Sequence, residues 1–441
     1  MGAIHDFSVW ESLLRIVRGS QGERLAAPGS WVTGQIGLGG WSVPGWRGEF
    51  SAVEGVQKAL RADGLDNVSF VCETGTGGKT LLHVVEGGPA VECGITSPYV
   101  GALVLVEGAV PGPWRRLPDT VPGARPAPSA DAALLERTLR ERLPDAVGAT
   151  EAEIAGAEAR LGVTLPDELK ALYRVTRARW QDWSGDHAAQ ERLRDAVGCE
   201  LFPLDGLYVA DARSRPCPWQ YAAKDVAVTG PDDAVQDLVG SPGWIAFGDN
   251  GGGDRVVVDL TPGPRGHLGQ IIMISHEEEI GAHLRAESLT DMVVNRRNDW
   301  YASRTRDRPP MVAHVGRGAL DSVAAAAHPD LEVLGIGVGS PEPVSLAPVA
   351  GLPRLRTLDA CPGALADPLE IAGLKALEYL RLGPEEWRVL LDAGAVPRSL
   401  SAASIDVRGE QHPVPLLDLA NEILALWDRP LITRTVLAGD L

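Results

Sequence analysis

At 441 residues, 44% hydrophobic and 23% charged, the chain has a globular composition and is long enough for three domains that each bury a core. Its formal net charge of −18 sets it against nucleic acid and anionic membrane surfaces and favours a basic protein as partner. Cys72, Cys93, Cys199, Cys217 and Cys361 are scattered without metal-ligand spacing, and neither a basic-then-apolar leader nor a run of about eighteen apolar residues occurs, which predicts a reduced, cytoplasmic chain outside the membrane.

Residues 1–120 read as a small α+β domain of unknown role. An amphipathic run at Trp10–Val17 comes first, then a glycine-rich stretch around Trp31, Trp41 and Trp46, a second helical run from Phe50 to Ala62, and strand-like runs at Val68–Cys72, Thr80–Val85 and Gly101–Val106. Pro118 to Pro128 holds four prolines and little to bury, so residues 121–130 read as a linker.

Helices return at Thr150, which stands at capping-box spacing from Glu153 ahead of Ile154, Ala157 and Leu161. In Thr164–Tyr173, Thr164 is a second candidate cap, Pro166 fits the first turn, and Asp167 and Glu168 favour the helix N-terminus. The pattern is strand-like from Leu201 to Ile274, and a closing helix is expected from Ser275, with Glu278 three residues on. Residues 131–305 thus read as a helix–helix–sheet–helix domain.

Residues 306–441 are repetitive. Leu331-x-x-Leu334-x-Ile336, Leu355-x-x-Leu358-x-Ala360, Leu377-x-x-Leu380-x-Leu382 and Leu400-x-x-Ala403-x-Ile405 recur at spacings of 24, 22 and 23 residues, the period of leucine-rich repeats. Each unit exposes an apolar row that only stacking buries, and Leu416–Trp427 reads as a helix capping the open end.

Several motifs resemble chemical sites but read better as structure. Gly75-Thr-Gly-Gly-Lys-Thr80 ends like a phosphate-binding loop, yet Glu73 replaces the first glycine and a strand-like run follows where a helix is needed, so a hairpin turn is expected. His276 and His283 flank three glutamates at a spacing of seven, whereas a zinc-binding HExxH needs four. Asp249-Asn-Gly-Gly-Gly-Asp254 lacks the alternation and distal Glu of a calcium loop, and its Asn and Gly residues suit a turn between Trp244–Gly248 and Arg255–Leu260. No catalytic set, metal or cofactor is assigned. Trp180-Gln-Asp-Trp183 reads either as an interface anchor or as buried lid residues.

Thr164–Tyr173, Leu201-Phe-Pro-Leu-Asp-Gly-Leu207, Trp244–Asp254 and Val257-Val-Asp-Leu260, in that order, resemble the SUKH superfamily, the Smi/Knr cell-wall-assembly-regulator group, over about residues 130–300. The resemblance implies an α+β fold with a mixed, strongly curved sheet and a protein-binding role without a catalytic set. Bacterial members of the group are associated with immunity against polymorphic toxins, and fungal members with scaffolding of cell-wall signalling. Trp244, Asp249, Asn250 and Asp254 are the matching positions for a binding surface, to which Trp180 and Trp183 are added. Arg177-Ala-Arg-Trp180 departs from the Asn-Gly turn that relatives often place after this helix. The alanine-, arginine- and proline-rich usage resembles high-GC actinobacterial proteins.

The expected architecture is therefore multidomain α+β: a small N-terminal domain, a SUKH-like domain and a leucine-rich-repeat-like tail. The expected function is non-enzymatic capture of a basic toxin protein. A scaffold or regulatory adaptor is the alternative, and an enzyme using the tryptophan- and glycine-rich N-terminal region ranks third.

Overall fold

A computed structural model of the chain describes residues 2–46, 50–75, 79–93, 102–183, 186–296, 310–317, 319–337, 342–408 and 411–441. Two compact units result, Met1–Ala109 with Pro309–Leu441, and Val110–Arg308. The architecture is multidomain α+β.

The first stretch contributes α1 (Phe7–Ser20), β1 (Trp31–Gly37), β2 (Gly40–Ser42), α2 (Phe50–Asp63), β3 (Asn67–Thr74), β4 (Thr80–Glu86), β5 (Val91–Cys93) and β6 (Ala102–Val106). The α1 helix starts at Asp6, whose carboxylate accepts from the Ser8 amide, and it buries Trp10, Leu13, Leu14 and Val17 along one face. β1 lies in the glycine-rich stretch, where helical and strand periodicity are both faint. Gly34 is needed there, because a Cβ would sit 2.4 Å from the Phe70 ring on β3. Thr76, Gly77 and Gly78 of the loop-like motif lie outside the described residues. The flanking strands β3 and β4 pair antiparallel up to Thr74 and Thr80.

The middle unit holds α3 (Gly112–Arg115), α4 (Ala132–Arg142), α5 (Glu151–Leu161), α6 (Asp167–Val175), α7 (His187–Val197), β7 (Glu200–Leu201), β8 (Tyr208–Val209), α8 (Trp219–Ala222), β9 (Trp244–Asp249), β10 (Arg255–Asp259), β11 (Gln270–Ile274), β12 (His283–Ala286) and α9 (Leu289–Val293). Its sheet runs β12-β11-β10-β9-β7, with β8 also on β9, and every pairing is antiparallel. Both faces are covered, which is why the strands read as continuous apolar runs. Ile245, Phe247, Val256, Val258 and Ile271 pack against Leu135, Leu169, Leu172 and Tyr173 of the helices. Trp244, Ala246, Val257, Ile272 and Ile274 face the opposite way, towards Val235 and Leu238. The proline-rich segment has no regular secondary structure but is pinned within this unit. Asp119 exchanges two 2.8 Å hydrogen bonds with the Gln236 side chain, and the Leu268 amide donates to Arg125 O at 2.9 Å.

Two helix starts differ from expectation. Thr164 is exposed and does not cap; Pro166 takes the N-cap position of α6, where its missing amide hydrogen costs nothing. No helix starts at Ser275. Residues 275–282 bend irregularly into β12, because Gly281 adopts φ +89°, and Ile280 and Ala282 at strand-like spacing enter two different apolar clusters. Thr150 and Glu153, by contrast, form the full capping box of α5.

The last stretch contributes β13 (Val312–Val315), α10 (Val323–Ala326), β14 (Val333–Ile336), β15 (Thr357–Ala360), β16 (Tyr379–Leu382), α11 (Pro384–Asp392), β17 (Ala402–Asp406), α12 (Pro413–Leu426) and β18 (Thr433–Gly439). The repeated leucines stack as a parallel ladder in which Leu334, Leu358, Leu380 and Ala403 stand side by side. Their row joins Leu331, Leu355, Leu377 and Leu400 in one core with Leu417, Ile423 and Leu424 of α12. Beyond β17 the sheet continues antiparallel through β6 and β5, which makes this seven-stranded sheet the mixed one. β18 returns to β4 at the edge of a five-stranded antiparallel sheet, order β18-β4-β3-β1-β2. The first and last regions of the chain share a unit because strands from both complete the same two sheets.

Candidate protein-binding site

β9 and β10 pair with Trp244 opposite Asp259 and Asp249 opposite Arg255, so residues 250–254 form the expected turn. Its polar side chains fold back on it. Asp249 Oδ1 accepts from the Gly251 amide at 2.7 Å, and Asn250 Oδ1 accepts from the amides of Gly252 at 2.7 Å and Asp254 at 3.1 Å. Gly251 and Gly253 adopt φ of +86° and +106°, a region closed to most side chains.

Both acids of the turn are spent inside the fold. The Asp254 side chain accepts from the His276 amide at 3.0 Å, from His276 Nδ1 at 2.7 Å and from Asn250 Nδ2 at 2.7 Å. Burial pushes the Asp254 carboxyl up, but these donors outweigh it and hold the group below the usual carboxylate range. Asp249 forms an ion pair with Arg255, whose guanidinium lies 5.9 Å above the Phe202 ring. The other histidine of the zinc-like motif, His283, contacts Glu278 at 2.9 Å, so the two histidines serve separate partners. Among the described residues no group of three or more His, Cys, Asp or Glu side chains could hold a metal ion.

The positions expected to line a binding surface therefore fall in different environments. Trp244 is fully buried and Asp254 is 5% exposed. Asp249 and Asn250 are half-buried. Trp180 and Trp183 bound a short 3-10 turn, and their side chains lie outside the described residues. Outward, the turn presents the exposed backbone of Gly251 and Gly252.

A cleft of about 390 Å³ lies beside this turn, lined by Ala178, His187, Glu191, Arg194, Glu200 and Pro203 among others. Glu200 stands opposite Asp249 in the β7–β9 register, and a Cβ on Gly251 would meet its Oε1 at 3.3 Å, so turn and cleft form one surface. Arg194 Nη1 lies 3.9 Å from Glu200 Oε1. The α7 wall is set by Asp186, whose side chain accepts from the Ala188 amide at 2.9 Å, and by Gly198, which ends the helix at φ +87°. α7 buries Leu193, Ala196 and Val197 and leaves Gln190, Glu191 and Arg194 exposed. Sequence reasoning passed over these cleft residues; the Asp186 and Gly198 bracket was the available signal.

Two further acids in the family-like motifs act as fasteners. Glu168 is buried and its carboxylate accepts from the amides of Leu289 at 3.2 Å and Thr290 at 2.9 Å, and from the Thr290 hydroxyl, so it holds the start of α9 rather than its own helix. Asp259 is fully buried; it accepts from the Thr261 amide at 2.7 Å and from Gln270 Nε2 at 2.9 Å. Burial, only partly offset by these donors, pushes its carboxyl up to about 6. The buried Cys199 thiol behind β7 is pushed up to about 12, which leaves it without nucleophilic character at neutral pH. Charged side chains thus border a cleft of mixed lining beside an exposed backbone tip.

An antiparallel sheet with helices on one face and an irregular, hydrogen-bond-pinned layer on the other defines the class as a helix-backed α+β domain. The chain contains a SMI1 / KNR4 family (SUKH-1) domain, whose model matches residues 148–295. Similar proteins include the glucan synthesis regulatory protein of Neurospora crassa, 30% identical over 102 residues, which cover 22% of this chain and 19% of that one. The cell wall biosynthesis/cell cycle regulator smi1 of Schizosaccharomyces pombe is 26% identical over 148 residues, 30% of this chain and 27% of its own. A KNR4/SMI1 homolog of Yarrowia lipolytica is 40% identical over 47 residues, 11% and 7% of the two chains. The chain thus spans less than a third of the length of each of these relatives. Among the described residues no helix is long and apolar enough to cross a membrane.

Proposed function

We propose that the chain is a non-catalytic, cytoplasmic regulatory adaptor that binds protein partners through the surface formed by the α7–β7 cleft and the 249–254 turn. The observation that carries this reading is the cleft itself, bordered by Glu191 and Glu200 and continuous with a turn whose own acids already have partners within the fold. The names of the fungal relatives, regulators of glucan synthesis and of cell-wall biosynthesis, support regulation as the role of this domain. The stacked ladder, with its spacing of 22 to 24 residues, supports a leucine-rich-repeat type of tail that offers a second contact surface.

Immobilised chain is exposed to a lysate of its source organism, alongside a double variant, Glu191→Lys with Glu200→Lys. The adaptor reading expects several housekeeping proteins to be retained by the parent chain and lost by the variant at unchanged thermal stability. Equal retention by both would remove the cleft from the mechanism. A second reading, capture of a basic toxin domain, is favoured by the sixteen acidic against eight basic residues between Glu200 and Asp299. It expects one dominant, basic partner and rescue of cells from that partner on co-expression.

A further inference from the structure

β18 is the terminal strand of the five-stranded sheet, and no further strand lies beside it among the described residues. One edge pairs with β4 from Thr433 opposite Glu86 to Gly439 opposite Thr80. The opposite edge is a row of backbone donors and acceptors, of the kind that recruits another strand. The side chains alternate. Leu437 and Leu441 pack against the core of the first unit, whereas Arg434, Val436, Ala438 and Asp440 are exposed, Val436 by 51%. Arg434 and Asp440 form no ion pair among the described residues.

This edge is complementary to itself. Antiparallel pairing of β18 with a second β18 about Leu437 sets Val436 opposite Ala438 and Arg434 opposite Asp440 of the other copy. All four of these positions lie on the exposed face, and two-fold symmetry makes each contact twice. The neighbouring register, centred on Val436, sets Arg434 against Ala438 and Asp440 against the buried Ile432, which leaves both charges unmatched. Charge complementarity therefore selects both the occupant and the register. We propose that β18 is a homotypic edge through which two copies of this chain associate, joining their five-stranded sheets antiparallel about Leu437. A single strand pair buries little area, so the dimer is weak and concentration-dependent.

Sedimentation velocity of the full chain between about 1 and 100 µM tests this directly. The parent chain is expected to shift from monomer to dimer across that range. R434D or D440R alone puts like charges opposite each other twice per dimer and is expected to weaken association about tenfold or more. The double variant R434D/D440R restores both pairs with exchanged signs and is expected to recover dimerisation. A parent chain that stays monomeric at about 100 µM, single reversals that associate like the parent, or a double variant that stays monomeric would each overturn the proposal.

Discussion

Asp254 Oδ1 accepts from both the backbone amide and the imidazole Nδ1 of His276, at 3.0 and 2.7 Å, and so ties the β9–β10 turn to the end of β11. Asp254→Ala leaves the His276 amide and Asn250 Nδ2 without their acceptor and is expected to destabilise the chain by about 2 kcal/mol in urea unfolding. The folded-state carboxyl is held below its usual range, so its contribution is present above that range and lost as pH falls through it. The acid limb of the stability profile should accordingly flatten in Asp254→Ala; an unchanged limb would count against the tie.

Gly253 and Gly156 should respond to alanine with opposite signs. Gly253 sits at φ +106° with a Cβ position 3.3 Å from His276 Nδ1, so Gly253→Ala is expected to cost about 1 kcal/mol or more. Gly156 lies exposed within α5 with nothing within 4 Å of an added Cβ, and Gly156→Ala is expected to stabilise by about 0.5–1 kcal/mol. Thermal melts of the two variants decide the matter, and equal shifts would contradict the backbone argument.

Asp259 carries the opposite pH signature to Asp254. Its folded-state carboxyl is raised to about 6, so its favourable contribution is complete below the unfolded value of 3.8 and is lost as pH rises towards 6. In Asp259→Asn this loss disappears, although the new amide faces Gln270 Nε2, which already donates to Ala234 O at 2.7 Å. The variant should be the less stable at pH 4 and regain on the order of 3 kcal/mol relative to the parent by pH 7. Parallel pH profiles for the two proteins would refute the assignment.

What the sequence made legible was local. The capping box of Thr150 and Glu153 needs only three residues of spacing, and Thr150→Ala should cost about 1 kcal/mol in urea unfolding, a loss within error excluding a working cap. The turn at 250–254 follows from Asn and Gly chemistry between two β-rich runs, and the ladder follows from its period. Long-range pairing was not legible: nothing near Thr433 announces that β18 returns to β4, or near Ala102 that β6 extends the ladder beyond β17. Acid side chains were legible only in part. Glu168 does stand in the first turn of α6, as its sequence position indicates, but its carboxylate also fastens α9, which that position does not announce. The glutamates after Ser275 looked like a helix start where Gly281 and two differently directed apolar residues impose a bend. The family-like motifs located the turn correctly, yet the cleft beside it depends on how α7 packs against β7, which no motif encodes.

Site-specific photo-crosslinking at Gln190, an exposed position on the lip of the cleft, reports whether a partner docks there. A photoreactive phenylalanine analogue placed there in the source cells should yield a discrete crosslinked protein, and the same analogue at the exposed Asp145, which is not among the cleft residues, should not. No adduct from Gln190, or the same adduct from both positions, would contradict partner binding at the α7–β7 cleft.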